Sequence, residues 1–173
     1  AVETDELVPK FYDTIFGRLS PEDHKAKFAE VFTQVESMKT ITQGYADFTM
    51  KYGTKEIRVR SLRKFEMEFI NLVSPDFGMG EADAKADSRV KYQNLLLLFS
   101  VEKIGDLEFV TDFADVARIS KTYDSFIKTD KVKSKLAAFD SMSDDFILFL
   151  INLVNDVRIA VWAARRELVK NFN

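Results

Sequence analysis

Apolar residues recur three and four positions apart along almost the whole chain, the spacing that places them on one face of an α-helix. The longest such run steps from Phe109 through Phe113, Val116, Ser120 and Tyr123 to Ile127. Few fold classes tolerate that period so widely. The 173 residues hold only 6 Gly and 3 Pro, too few for the turns that an all-β chain needs every 8–12 residues or so. The expected fold is all-α: a single domain over residues 1–173, of about eight helices, two of them strongly hydrophobic and central.

Local signals place the helices. The first is expected over Asp5–Phe16, with Leu7, Phe11 and Ile15 on one stripe and Gly17 as its terminator. Ser20 and Pro21 open the second as N-cap and first helical residue, and Glu22 and Asp23 complement its dipole. Ile41, Tyr45, Phe48 and Tyr52 continue the period to Gly53, and Thr54 caps a fourth helix burying Leu62, Phe65, Phe69 and Val73. The acidic stretch from Ser74 to Ser88 is the one loop signal, though its later, alanine-containing part suits a helix. Leu95–Phe99 is apolar on every face, which predicts a helix with neighbours all round, closed by Gly105. Asp106 caps the Phe109–Ile127 run, a shorter helix buries Val132, Leu136 and Phe139, and a last one begins at Phe146–Ile151. Asp156, Arg158, Arg165 and Arg166 in that last helix argue against a membrane span.

Composition removes whole classes of function. A net charge of -3 lacks the basic footprint of a nucleic-acid binder. The absence of cysteine removes disulfides, thiol catalysis and thiolate metal sites. His24, the single histidine, cannot supply a His-Glu di-metal set and reads as an exposed polar residue near a helix start. From Asp76, glycine falls at the wrong places for a calcium-binding loop. Ser20-Pro21 and Ser74-Pro75 are explained as a cap and a stop. With no nucleophile elbow, P-loop or dinucleotide fingerprint, the expectation is a non-enzymatic protein with no cofactor and no metal. The chain opens Ala1-Val2-Glu3-Thr4 without methionine, as after removal of a leader or a tag, so a secreted location is expected ahead of a cytoplasmic one.

Two features remain for function. Sixteen Phe are either a bulky core or the wall of an apolar cavity. Lys55–Lys64 carries Arg58, Arg60, Arg63 and Lys64 on what reads as a basic helical face, suited to a solvated surface, an acidic protein partner, an anionic membrane surface or the carboxylate of a lipid. The N-terminal residues Val8-Pro9-Lys10-Phe11-Tyr12 and Leu19-Ser20-Pro21-Glu22-Asp23-His24-Lys25 resemble the opening of the nematode fatty acid and retinol binding family. The resemblance covers some eighteen residues and implies a secreted helical lipid carrier, with no binding residue carried over. The first functional expectation is accordingly a carrier of a hydrophobic small molecule such as a fatty acid or retinoid. Phe109, Phe113, Tyr123, Phe146, Phe149 and Leu150 would form its wall, with Arg58 or Arg60 near the mouth. The second is a helical protein–protein interaction module without a ligand cavity.

Overall fold

The computed structural model describes residues 21–74 and 82–171. The expected Asp5–Phe16 helix, the Ser20 cap and Pro75 lie outside the described residues. Helices α1 (Pro21–Lys27), α2 (Ala29–Glu36) and α3 (Lys39–Gln43) lead into strands β1 (Asp47–Tyr52) and β2 (Lys55–Arg60). Helix α4 (Lys64–Val73) and the long α5 (Ala82–Ser100) follow, then β3 (Val101–Ile104) and β4 (Leu107–Glu108). Three shorter helices, α6 (Ala114–Ile119), α7 (Tyr123–Ile127) and α8 (Asp130–Asp140), precede α9 (Asp144–Asn171).

The chain is mostly helical but not all-α: a four-stranded antiparallel sheet in the order β1-β2-β3-β4 corrects the sequence reading. The expected third helix survives only as α3, and the expected fourth begins at Lys64 rather than Thr54. Between them, Gly53 and Thr54 form a two-residue hairpin loop, with Gly53 at a φ of 65° that a side chain would resist. Gly105 does not end a helix either. At φ 59° it turns the β3–β4 hairpin. The Phe109–Ile127 run breaks into two short helices at Ser120, whose backbone is extended and whose hydroxyl donates to the Val116 carbonyl. Thr122 then caps α7 by accepting from the Ser125 N–H.

Directly opposed residues of antiparallel strands share a face. Phe48 opposes Val59, and Val59 opposes Val101. All three are buried and face the helical layer, while Asp47, Thr49, Arg58 and Lys103 take the polar face. A bulge at Arg58/Val59 leaves Glu102 as an extra residue on β3, adding local twist.

Leu95–Phe99 meets its expectation, with every one of its side chains buried. That segment of α5 sits among α4, α8, α9 and β2. Helix α9 is different. Leu150, Leu153, Val154 and Val157 are buried, whereas Leu148 is 53% exposed. By length and composition α9 could cross a membrane, and its buried face lies against α2, α5 and β2. The aromatic centre is Phe69, Phe99, Phe113 and Phe126, with ring centroids 4.8–6.1 Å apart and mostly tilted or edge-on, the arrangement that ring quadrupoles favour.

The outer edge of β1 is closed by α2. The Asp47 N–H donates to Gln34 Oε1 (2.9 Å), and Gln34 Nε2 donates back to the Asp47 carbonyl (2.8 Å). Two residues on, the Thr49 N–H donates to Glu30 Oε1 at 2.6 Å. The Gln34 amide thus bonds as one residue of a neighbouring strand would.

Candidate functional site

The basic segment is a strand followed by a helix start, not one helical face. Alternation along β2 sends its arginines to a polar sheet face, where helix packing separates their fates. Arg58 is exposed and donates to the Thr49 hydroxyl (3.3 Å). Arg60 is buried. Its guanidinium makes a two-pronged contact with Glu66, Nη1 to Oε1 at 2.8 Å and Nη2 to Oε2 at 2.6 Å, with side chains 1% and 0% exposed. The Ser61 carbonyl (2.9 Å) and Thr111 (3.3 Å) accept further Arg60 hydrogens, so the fork is saturated. Glu66, in the first turn of α4, also accepts the Arg63 N–H at 2.7 Å. This carboxylate therefore neutralises a buried cation and closes a helix start together.

Arg63 and Lys64 lie just beyond this pair and face outward. The Tyr45 ring holds Arg60 at 4.7 Å and Arg63 at 5.0 Å, which fixes Arg63 at the rim of an open depression of about 630 Å³. Arg63, Lys64 and Arg165 of α9 line it with Glu68, beside the apolar Leu62 and Met67. Lys64 and Glu68 are 3.9 Å apart on the surface, a contact of little energetic consequence in solvent. Gly44, at φ 87°, lets the chain turn here; a side chain there would abut Arg63 Cγ at 3.4 Å. Three cations against one carboxylate, bordering apolar surface, can hold an anion attached to an apolar group.

The six expected wall residues are not gathered around one space. Phe109 and Phe113 flank the ammonium of Lys135, at 5.6 and 5.7 Å from their ring centres. Lys135 Nζ donates to the carbonyls of Leu98 (2.6 Å), Val101 (2.7 Å) and Val110 (2.7 Å). Helix α5 runs into β3 with no linker, and the lysine satisfies carbonyls that this junction would orphan. Burial, followed by the Arg60 charge, pushes its amine well below the ordinary value. Yet three carbonyls each need an N–H, and a neutral amine would turn a lone pair toward one of them; the geometry calls for the ammonium.

Tyr123 is buried elsewhere, its hydroxyl accepting from Asn94 Nδ2 at 2.9 Å. Phe146 and Phe149 stand beside Tyr52 of β1, 5.6 and 4.9 Å between ring centres. Leu150 is in the core. His24, expected at the surface, is instead 7% exposed and packs on Phe28 at 4.7 Å; burial lowers its pKa. Among the described residues no group of three or more His, Asp or Glu is placed to hold a metal ion.

Arg165 and Lys135 escaped sequence reasoning. No local pattern marks either: Arg165 lies about a hundred residues from Arg63, and Lys135 sits on a helix rich in solvated lysines.

The chain matches no protein-family model, no curated protein and no solved structure. These comparisons do not bear on the N-terminal resemblance, whose residues fall mostly outside the described part of the chain.

Proposed function

We propose that this protein is a non-enzymatic interaction module that binds an acidic segment of a protein partner, with apolar side chains among its carboxylates. One observation carries the reading: Arg63, Lys64 and Arg165, from two elements distant in sequence, border a single depression next to Leu62 and Met67. Opposite charges there would steer encounter and weaken with salt, while the apolar lining would supply the contact area.

The test uses a peptide of alternating Glu and Leu. Its binding is followed through the fluorescence of Trp162, whose ring lies 5.3 Å from the Arg166 guanidinium, one residue past Arg165. The triple variant R63E/K64E/R165E is expected to weaken binding at least tenfold at low salt. Unchanged affinity would remove the reading.

A second reading, the carrier of a fatty acid or retinoid, draws on the Tyr52, Phe146 and Phe149 cluster. Phe146 and Phe149, two of the expected wall residues, are half-buried there beside Tyr52, which is 50% exposed. A fluorescent fatty acid whose displacement is abolished by F146A/F149A and untouched by the charge reversals would favour that reading.

A further inference from the structure

Two carboxyl groups meet on the polar face of the sheet. Asp47 on β1 and Glu102, the extra residue of the β3 bulge, reach one another over β2 within hydrogen-bonding distance. Asp47 Oδ1 and Glu102 Oε1 are both buried, and neither has a hydrogen-bond donor among the described residues. Asp47 is held from the other side by Gln43 Nε2, which donates to Oδ2 at 3.3 Å, and by Gln34 on its backbone. Its backbone is thus fixed at the edge of β1, and its side chain is held toward the sheet by Gln43. Two ionised carboxylates in this position would repel with no cation placed between their buried oxygens. A single proton shared by the pair would satisfy both atoms.

We infer that Asp47 and Glu102 form a proton-operated clip, which ties the edge strand to the bulge when one proton lies between the carboxyls and loosens when it leaves. The charges around it are known. Arg58 and Arg60 of β2 favour ionisation of Glu102, and Lys135 of α8 lies within Coulombic range. These cations are outweighed: burial first, then the hydrogen bond and charge of Asp47, raise Glu102 to about 8 from an ordinary 4.5.

The sign follows from proton uptake. Between about 4.5 and about 8 the folded chain holds a proton on Glu102 that the unfolded chain has released. Stability is therefore greatest at the acid end of that window and falls as pH rises through it. Lys135, whose amine is lowered, has the opposite sign: any proton it gave up on folding would make stability rise with pH, not fall. A decline with rising pH belongs to the clip.

The experiment takes the full chain, labelled with carbon-13 at glutamate carboxyls, through pH 4 to 9.5. The Glu102 Cδ resonance, assigned by its loss in Glu102→Gln, is expected to titrate near 8; a midpoint near 4.5 overturns the clip. In Asp47→Asn the side-chain amide can donate to the Glu102 carboxylate, so the midpoint should move below about 6. No movement overturns it equally. Between pH 6 and 9 the wild-type Tm should fall by about 5 °C, a value discounted for the solvent-screened part of the group. Glu102→Gln, which donates an N–H at every pH, should remove most of that fall, and an identical fall in the variant counts against the clip. Should Glu102→Gln not fold, the wild-type and Asp47→Asn titrations still decide, with the resonance assigned through neighbouring backbone nuclei.

Discussion

Among the described residues, two cations are buried, in two different ways. Arg60 is buried with a counter-charge, Glu66, which takes both arms of the guanidinium. Lys135 is buried with three neutral carbonyls at the end of α5 and beyond it, and with two rings at its flanks. The first arrangement satisfies charge with charge, and the two charged side chains can be replaced together. The second satisfies charge with backbone dipoles that no substitution removes. Arg60 can therefore be exchanged for an apolar pair, while Lys135 is tied to the path of the chain.

Substitutions can break that contrast. The largest effect is expected for Glu66→Ala, which strands a buried guanidinium and opens the start of α4; a loss of about 3–5 kcal/mol should appear in urea unfolding. Lys135→Met keeps the stem and removes the donors, leaving three carbonyls without a partner. It should cost about 3 kcal/mol in the same measurement. The double variant R60M/E66L should lose less, about 1–2 kcal/mol, because both charges leave together and only the neutral partners, the Arg63 N–H and the Ser61 and Thr111 oxygens, lose their bonds. If the double variant is as damaged as Glu66→Ala, the pair is not self-contained and the contrast fails. At the bottom of the scale, Asp106→Ala removes an exposed contact with Lys55 at 3.3 Å and should leave the unfolding midpoint unmoved.

The helices could be read from the sequence where caps and periodicity agreed. Residues from Pro21, the Leu95–Phe99 block and α8 lie where those signals put them. The sheet escaped because two periods share the same residues. Phe48 and Tyr52 continue a helical stripe from Ile41 and Tyr45, and equally an alternating one through Met50. The two-residue loop at Gly53-Thr54 distinguishes them, being a hairpin signal when flanked by alternation on both sides. Ile57 and Val59 supply that alternation on β2.

The site was less legible. Phe109 and Phe113 are apolar enough for a wall, and composition carries no sign that they border a buried lysine. Of the basic run, only Arg63 and Lys64 meet at the depression. Strand alternation puts Arg58 and Arg60 on one face, and the Glu66 carboxylate of α4 decides that Arg60 is the one buried, which depends on tertiary packing. The Asp47 and Glu102 meeting depends on a bulge, which no residue type announces.

One side chain also has a consequence for how this protein behaves in a crowd. An edge strand with bare N–H and C=O groups invites a second molecule to add its own strand, the first step toward swapped dimers and fibrils. On β1 the place for that visitor is occupied at Asp47 by the Gln34 amide, and the N–H of Thr49 is taken by Glu30. Gln34 thus works as a chain terminator for the sheet. Gln34→Ala should barely disturb the folded monomer while making concentrated solutions gather thioflavin-positive aggregate sooner, a cost visible only in company.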